Sequence, residues 1–540
     1  MDAWPATWNP YAADLPADAA ALLAAVRPRL FDVTATGQYQ WDADWLAGAP
    51  VATVVETASG AGGGPAPATA LPGQDESSGT APSAPAPGVI PVTVPVDARG
   101  HTVVTYVLNP QARWGDGVPL TVDDFRATWQ TCVAAATAPC QRRGLLDIAD
   151  ITVGPTPQTI VVTYATVYPN WRATFQDGPL RSASADPASF APAWAWPFDN
   201  PGWLAGPFAY DAASAPTSLA LIRSPVWWGD PAVLDSITVE PMPAAQRLLA
   251  LRQGALDASA IADANFYARA AAITTIELRR TDGAQTRELL LNAQAPALAD
   301  LRVRQAVAAA LDRTTIARSD LAGYAWSGQP PQALTRRAGD ASGVDLAQTT
   351  GVGGTNLAQA RTLLESAGWE PGADGTLAKD GAPLRLTYTI APGDAIGENE
   401  GFQIRAQLAA VGVAVSMVYA AGPGDAAAIA ASGAYTMLAV TRHDDPDRLQ
   451  ALERFASTSP GDVTRYADAK VDLLLSIARG TASDTARDSL LDSVETAVWR
   501  GAVVLPLYAV PQTVAATPSL ANYGANGWST PLWEDVGFRK

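Results

Sequence analysis

Histidine, cysteine and lysine are scarce in this chain of 540 residues, and each scarcity excludes a class of function. Its 2 histidines, His101 and His443, and its 2 cysteines leave little material for a metal site, and we expect none. Lysine occurs only at Lys379, Lys470 and Lys540, and the formal net charge is −17. Nucleic-acid binding needs clustered basic residues, so we expect no nucleic-acid partner.

Catalytic and cofactor motifs are also absent from the sequence. The chain has no Gly-x-Ser-x-Gly, no Gly-x-x-x-x-Gly-Lys-Ser/Thr loop, no Gly-x-Gly-x-x-Gly opening a helix and no His-Glu-x-x-His. A hydrolase triad would have to use His101 or His443 as its base, and His101 lies beside a low-complexity stretch. The sequence therefore predicts neither an enzyme nor a bound cofactor.

Signals of the cellular compartment are few. No run of about 18 apolar residues occurs, so we expect no segment that spans a bilayer. The start, Met1-Asp2-Ala3-Trp4, fits a chain cut after a signal peptide or a lipid-attachment cysteine, or else a cytosolic protein that never carried one. Cys132 and Cys140 would pair in an oxidising compartment; otherwise they are two unrelated small core residues.

Length and composition predict more than one lobe. A single hydrophobic core rarely organises 540 residues, and 48% hydrophobic residues with 17 tryptophans can fill several cores. Residues 57–95 form a stretch rich in Gly, Ala and Pro that cannot bury enough apolar surface to offset its ordering entropy. We expect a mobile surface excursion there, without ligand residues.

Strand and helix patterns alternate along the rest of the chain. They predict strands at Thr102–Leu108, Thr159–Tyr164, Leu384–Ile390 and Val413–Tyr419, and helices at Phe125–Ala136, Asp300–Arg313, Asn356–Ala367 and Phe402–Val411. Gly368 suits a left-handed end of the third of these helices. The alternation predicts an α/β lobe with substantial parallel pairing.

One short segment combines several local signals. After Trp114, a Gly-Asp-Gly-Val-Pro turn ends a strand, and the hydroxyl of Thr121 can cap the next helix. Asp123 and Asp124 then lie at the positive end of that helix. The segment resembles a signature of the extracytoplasmic solute-binding proteins of ABC importers, a family that includes oligopeptide, dipeptide and nickel binders.

Further motifs similar to those of this family follow in order along nearly the whole chain. They are Trp8-Asn9-Pro10, Gly206-Pro207-Phe208-Ala209-Tyr210, Ser224–Pro231, Leu251–Asp257, Leu291–Pro296, Leu301–Arg313, Leu363–Gly375 and Leu505–Tyr508. Each motif is weak alone, but their joint order is specific. On these motifs the chain is identified as a member of the family.

Membership implies an α/β fold of the type II periplasmic-binding-protein kind, with two lobes joined by a hinge and an inserted third domain. The resemblance places lobe I in residues 1–35, 170–284 and 504–540, the inserted domain II in 36–169 and lobe III in 285–503. It also implies ligand capture by closure of the interlobe cleft and delivery to ABC permease subunits. A monomeric, membrane-anchored extracytoplasmic lipoprotein is expected.

The resemblance further indicates candidate ligand residues near Pro446. In peptide-binding relatives, an acidic residue in a Trp-x-x-Asp-x-x-Asp/Glu-Pro motif holds the amino terminus of the peptide. Aligned on Pro446, the aspartate position is Arg442, whose guanidinium favours a carboxylate, phosphate or polyol ligand. A shift of two residues restores the carboxylate through Asp444. A third possibility is an exposed loop with ordinary charges.

The remaining candidate ligand residues are mostly aromatic. Trp196 and Trp203 belong to a stretch rich in Trp, Pro and Gly that could stack on a sugar, line side-chain pockets or pack locally under a loop. Trp8 and Asn9 of the N-terminal motif, with His443 and Asp445 beside Arg442, complete the candidate set.

Two functions remain open on the sequence. The first is an actinobacterial-type solute-binding lipoprotein that captures an oligopeptide or other polar solute for an ABC importer; the preference for Arg over Lys and the richness in Ala are typical of a high-GC genome. The second is a non-transport accessory or regulatory lipoprotein of cell-envelope glycolipid (lipoglycan) biosynthesis on the same fold. The altered motif at Arg442 and the excursion at 57–95 keep the second open.

Overall fold

The computed structural model describes residues 4–12, 15–56, 100–134, 140, 144–185, 194–213, 217–261, 263–324, 328–336, 344–394, 396–420 and 426–539. The low-complexity stretch 57–95 lies outside these residues, as do Ala135 and Ala136 at the end of a predicted helix. In the part of the chain that the structure describes, no helix is both long enough and apolar enough to cross a membrane.

Helices and strands follow one another along the chain. The helices are α1 (Ala17–Leu23), α2 (Val122–Ala134), α3 (Trp171–Thr174), α4 (Ala244–Gln253), α5 (Ala264–Ala271), α6 (Leu301–Ala310), α7 (Arg313–Asp320), α8 (Leu346–Thr350), α9 (Leu357–Ser366), α10 (Gly397–Ala409), α11 (Ala426–Ser432), α12 (Arg448–Glu453), α13 (Ala469–Arg479) and α14 (Asp484–Gly501).

The strands are β1 (Phe31–Val33), β2 (Tyr39–Trp41), β3 (Val51–Glu56), β4 (Gly100–Val107), β5 (Ile148–Val153), β6 (Thr159–Tyr164), β7 (Phe208–Tyr210), β8 (Leu219–Arg223), β9 (Ser236–Val239), β10 (Ala258–Ala260), β11 (Glu277–Leu291), β12 (Glu370–Pro371), β13 (Leu377–Lys379), β14 (Ala382–Pro383), β15 (Arg385–Ile390), β16 (Ala414–Tyr419), β17 (Met437–His443), β18 (Val504–Ala516), β19 (Leu520–Ala521) and β20 (Gly537–Phe538).

The largest sheet is mixed and has the order β10-β18-β11-β17-β15-β16. β15 is parallel to β16 and to β17, which is the parallel pairing that the sequence predicts. β11 pairs antiparallel with both β17 and β18, and β10 pairs antiparallel with β18. Parallel pairing is therefore confined to one side of this sheet, and the smaller sheets are antiparallel.

One predicted helix is two helices in the structure. The sequence predicts a single helix over Asp300–Arg313, but α6 ends at Ala310 and α7 begins at Arg313. The break occurs because Leu311 is extended and the Asp312 carboxylate accepts the backbone N–H of Thr315 at 3.0 Å, as an N-terminal cap does. Asp312 therefore starts a second helix instead of continuing the first.

The Trp114 segment holds the start of α2 through one buried carboxylate. Asp124, which is 0% exposed, accepts the indole N–H of Trp114 and the backbone N–H of Thr121, both at 3.0 Å. Its other oxygen accepts the backbone N–H of Ser182 at 2.8 Å. At this helix start the Thr121 backbone N–H thus donates to the Asp124 carboxylate, whereas the sequence predicts that the Thr121 hydroxyl caps the helix. The segment ties α2 to a distant part of the chain.

Hydrophobic side chains form three large clusters in the described residues. One contains Leu290 and Leu505 of the large sheet, and another contains Phe125 of α2 together with Trp171 and Phe175, which lie beyond residue 169. The third unites residues from three separated parts of the chain, for example Trp8, Phe198 and Trp533. The polypeptide therefore returns to the same packing unit from its beginning, middle and end.

A disulfide joins Cys132 of α2 to Cys140. The two Cα atoms are 5.6 Å apart. Ala12, close to the start of the chain, forms a β-bridge with Cys140. The bond therefore links the end of α2 to the segment that contacts the N-terminal region.

A buried network of charged side chains lies on one face of β11, around Arg287. The Arg287 guanidinium lies 2.6 Å from both Asp394 and Glu400, and Tyr388 donates its hydroxyl to Glu400 at 2.9 Å. Asp320 at the end of α7 lies beside this network and accepts the side-chain N–H of Asn399 at 2.9 Å. Burial, with Glu400 nearby, raises the pKa of Asp320 to about 7 despite the opposing effects of Asn399, Arg287 and Tyr508.

Asp320→Asn should stabilise the protein above neutral pH. Because the folded-state pKa is raised to about 7 from the ordinary aspartate value of 3.8, the protonated carboxyl of Asp320 favours the folded state at low pH. This contribution to stability is lost as the pH rises through about 7. Asparagine carries no such penalty and keeps an oxygen for Asn399. Urea unfolding should show a gain of about 1–3 kcal/mol at about pH 8.5 and little gain at about pH 4.5. Equal effects at both pH values would contradict this assignment.

Candidate functional site

The candidate site starts from the alternation of side chains on two paired strands. β11 and β17 are antiparallel, with Thr286 opposite Arg442 and Glu288 opposite Val440. Side chains on a strand alternate between the two faces of a sheet, so Glu288 and Arg442 share one face and Arg287 points to the other. The same two strands thus carry the Arg287 network on one side and a second ionic network on the other.

The second network centres on Glu288, which is 0% exposed. Arg442 donates to its carboxylate from Nε at 3.2 Å and from Nη2 at 3.1 Å. Arg454, immediately after α12, donates to both Glu288 oxygens at 2.8 Å and 2.9 Å. Burial by itself would raise the pKa of Glu288, but the two guanidinium groups more than offset it and lower the pKa to about 2. Glu288 is therefore ionised throughout the physiological pH range.

The loop after β17 extends this network towards solvent. Asp444 lies 3.0 Å from Arg442 Nη2 and accepts the hydroxyl of Thr286 at 2.9 Å. Asp445 accepts the backbone N–H of Asp447 at 2.9 Å, and Asp447 in turn caps α12 by accepting the N–H of Gln450 at 3.1 Å. The loop is therefore an ordered turn, held by these hydrogen bonds, that leads from β17 directly into α12.

A cavity of about 270 Å³ opens in front of this loop, and we call it the β17 cavity. Its wall is formed by Ala35, Thr36, Thr281, Asp282, Thr286, Gln329, Pro331, Ala333, Leu334, Thr335, Arg336, Arg442, Asp444, Asp445, Ala451, Ala509, Asn526, Gly527 and Trp528. These residues come from the N-terminal region, from β11 and β18, from the C-terminal region and from the helical part around α12. The cavity thus lies where separate parts of the chain meet.

The wall of the β17 cavity is acidic on balance. The charges of Arg442 and Arg454 are matched by those of Glu288 and Asp444, which they contact. The cavity wall adds two further carboxylates, Asp282 and Asp445.

The other cation of the wall also lies among acidic residues. Arg336 and Arg448 both contact Asp492, and Arg448 also contacts Asp488 and Glu495. Two guanidinium groups therefore face three carboxylates here. A ligand that brings a positive group suits this electrostatic environment better than one that brings a negative group.

The alignment on Pro446 predicts a guanidinium of Arg442 that is free to bind a ligand. In the structure this guanidinium is engaged by protein acceptors. Its Nε and Nη2 atoms donate to Glu288, and its Nη1 atom donates to the carbonyl oxygen of His443 at 2.8 Å. The reason is tertiary, because Glu288 comes from a strand far away in sequence. An anion at this position would compete with Glu288 and Asp444 for the same donors.

The other predicted ligand residues lie away from this cavity wall. His443 contacts Gln285 at 2.8 Å on the opposite face of β17, and burial lowers its pKa. Trp8 is 0% exposed and packs against Phe198, with ring centroids 4.9 Å apart.

Asn9 and the two remaining tryptophans also serve local packing. Asn9 is 2% exposed and accepts the N–H of Tyr11 at 2.9 Å. Trp196 packs between Trp8 and Phe198, and Trp203 stacks on Trp194. None of these residues lines the β17 cavity, which brings together only Arg442, Asp444 and Asp445 of the predicted set.

Sequence reasoning missed the partners of these three residues. Glu288 and Arg454 hold the network together, and Asp282 and Trp528 line the cavity. One signal was available: Arg287 and Glu288 directly precede three consecutive leucines, Leu289–Leu291, in the buried end of β11. Charges that enter a buried strand need partners, so such a pair indicates an ionic network. In the described residues, no group of three or more His, Cys, Asp or Glu side chains could hold a metal ion.

Comparison with known proteins identifies a family and two curated relatives. Residues 96–461 match the profile described as "Bacterial extracellular solute-binding proteins, family 5 Middle". The chain is 30% identical over 447 residues to the oligopeptide-binding protein OppA of Mycobacterium tuberculosis, which covers 81% of this chain and 74% of that protein. It is 26% identical over 346 residues to the same bacterium's "Probable monoacyl phosphatidylinositol tetramannoside-binding protein LpqW", covering 58% of this chain and 53% of that protein.

A solved structure shows the same fold. The periplasmic EDTA-binding protein EppA superposes with a TM-score of 0.78 at 18% identity, covering 100% of this chain and 96% of that chain. The α/β fold of the periplasmic-binding-protein kind, which the sequence motifs predict, is confirmed. These relatives are binding proteins and not enzymes, in agreement with the sequence prediction.

Glu288→Gln should destabilise the folded protein strongly. Removing the buried negative charge leaves Arg454 and Arg442 close together without their shared counter-ion, and breaking one partner of such a pair costs about 3–5 kcal/mol. Urea unfolding near neutral pH measures the loss. Glu365→Gln, which removes one negative charge from the exposed side of α9, is the matched control and should change little. A small loss for Glu288→Gln, similar to that of the control, would show that the network contributes little.

Proposed function

Since this chain belongs to the bacterial extracellular solute-binding proteins of family 5, we propose that it captures an oligopeptide in the β17 cavity for delivery to an ABC permease. The observation that carries the proposal is the acidic balance of the cavity wall around Asp444 and Asp445. A peptide amino terminus is a cation with three N–H donors, and carboxylates are its natural acceptors. Lipid anchoring outside the cytoplasm is part of the proposal.

Similarity to a named peptide binder supports this ligand class. The oligopeptide-binding protein OppA matches most of this chain at 30% identity. In our reading, Asp444 takes the place of the acidic residue that holds the peptide amine in such proteins. Arg442 then has a supporting role, because its contact with Asp444 at 3.0 Å holds that carboxylate in position.

Capture by closure is the second part of the proposal. β11 and β18 pair side by side over most of their length, with a break in register between Asp282 and Thr286. Thr281, Asp282 and Thr286 around this break all line the β17 cavity. A local irregularity in a pair of long strands is a suitable position for a hinge, so we assign the bending to this break.

A glycolipid ligand is the second candidate. The relative named for binding monoacyl phosphatidylinositol tetramannoside matches 58% of this chain at 26% identity. Under this alternative the chain would be an accessory lipoprotein of envelope glycolipid biosynthesis rather than a transporter component. The acidic wall of the β17 cavity argues against the anionic part of such a ligand entering there, so the peptide proposal is preferred.

Asp444→Asn should weaken peptide binding strongly and leave folding intact. Loss of one partner of a desolvated charged bond costs roughly 2–5 kcal/mol, and asparagine keeps the shape of the side chain. Isothermal calorimetry against a pool of short peptides measures the effect, with Glu365→Gln as the charge-matched control. If Asp444→Asn binds peptides like the control, the amine-binding role of Asp444 is wrong. If only an envelope-glycan pool binds the wild type, the second candidate replaces the first.

Peptide binding should also compact the protein. Because only the closed cleft lets both sides contact the ligand, the bound state should have a smaller radius of gyration and a higher melting temperature. Small-angle scattering with and without the peptide pool measures the first quantity, and calorimetry measures the second. Tight binding with an unchanged radius of gyration would contradict capture by closure.

A further inference from the structure

A second and larger cavity lies on the other side of α12. Its volume is about 590 Å³, and we call it the α13 cavity. Its wall is formed by Gly144, Asp147, Thr166, Val167, Tyr168, Pro169, Asn170, Leu449, Gln450, Glu453 and Arg479. One side comes from the region of β5 and β6 and the other from α12 and α13. The volume is in the range of small-molecule binding sites in proteins.

The charged side chains of this wall are unbalanced. Among the described residues its charged members are Asp147, Glu453 and Arg479, so two carboxylates face one guanidinium there. The guanidinium is already engaged, because Arg479 Nε lies 2.7 Å from Glu453. Asp147 has no side-chain hydrogen bond or ion pair to any of the described residues, so in that part of the chain one carboxylate of the wall has no direct partner.

The pKa of Asp147 reflects the same excess of negative charge. Burial and the nearby Glu453 raise the pKa of Asp147, and Arg479 opposes them only in part. The site therefore disfavours a further negative charge. A cation placed beside Asp147 and Glu453 would be attracted by both carboxylates.

The wall of this cavity also presents hydrogen-bond acceptors. The carboxylates of Asp147 and Glu453 can only accept, and Arg479 already donates to Glu453. Asn170 is 4% exposed, and its side-chain oxygen has no hydrogen-bond partner among the described residues. A ligand group rich in N–H donors is complementary to such a wall.

An aromatic ring adds a second kind of contact for a cation. Tyr168 lines the cavity and stacks on Tyr164, with ring centroids 4.7 Å apart and an interplanar angle of 14°. The stacking holds the Tyr168 ring in place. The face of a fixed aromatic ring attracts ammonium and guanidinium groups.

α12 connects this cavity to the proposed amine site. Ala451 of this short helix lines the β17 cavity, whereas Leu449, Gln450 and Glu453 line the α13 cavity. The two cavities therefore lie on two sides of the same helix.

We propose that the α13 cavity binds a cationic group of the ligand, a primary ammonium or a guanidinium, between Asp147, Glu453 and Tyr168. The proposal rests on the peptide-capture function, since it assigns the cavity to a basic side chain of the captured peptide. It predicts a preference for peptides that carry lysine or arginine in addition to their amino terminus.

Two pentapeptide sets test this proposal. They are identical except that each lysine in one set is replaced by norleucine in the other, which keeps the apolar stem and removes the charge. Calorimetry on the whole protein should show tighter binding of the lysine set, and Asp147→Asn should reduce its affinity about 10- to 100-fold. Glu453→Gln should act in the same direction. Neither variant should alter binding of the norleucine set.

Asp150→Asn is the matched control. Asp150 is exposed in β5, and its side chain accepts the N–H of Ile151, so the change removes one charge from the same strand region outside the cavity. Melting temperatures of all variants establish that they fold. Equal binding of the two peptide sets, or a lysine preference that survives Asp147→Asn and Glu453→Gln, would overturn the α13 assignment alone. Failure of both sets to bind the wild type would overturn the peptide-capture function and this inference with it.

Discussion

The candidate site depends on one constraint: two neighbouring charged residues of β11 are buried on opposite faces of the large sheet. Arg287 and Glu288 point to opposite faces of the large sheet because side chains alternate along a strand. Arg287 is held by Asp394 and Glu400, and Glu288 is held by Arg442 and Arg454. Buried charges are tolerated only when they are paired and hydrogen-bonded. A slip of one residue would exchange the faces, so the two networks together specify the register of β11 against β17.

The ionic network on β11 also positions α12, the helix that borders both cavities. Arg454 follows that helix directly and binds Glu288, while Asp447 caps its beginning. The helix is therefore fixed at both ends, and the two cavities on its sides keep a defined relation to each other. In the function proposed above, the charge balance around α12, rather than any single motif residue, decides which ligand groups are compatible. On that proposal, this balance favours cationic groups in both cavities and an oligopeptide over an anionic solute.

The motifs that identify the family have mainly structural roles. Asn292 donates to the carbonyl oxygens of Gly433 and Tyr435, and Arg313 donates to those of Pro331 and Pro506. Asp124, in the first turn of α2, accepts the Trp114 indole N–H and the backbone N–H of Ser182. Each of these side chains joins segments that are distant in sequence, so they maintain the fold whatever the ligand is. Family motifs of this kind therefore identify the architecture and say little about specificity.

The sequence by itself determined the features that depend on neighbouring residues. The strand at Thr159–Tyr164 and the helix capped by Asn356 follow from local patterns, and the order of motifs indicated the family. Tertiary structure alone decided the environment of Arg442. Its partner Glu288 is separated from it by 154 residues, and no local signal pairs them. The same holds for the α13 cavity, where Asp147 and Glu453 meet only after folding. Local propensity acts over a few residues, whereas charge balance in a cleft depends on every segment that reaches it.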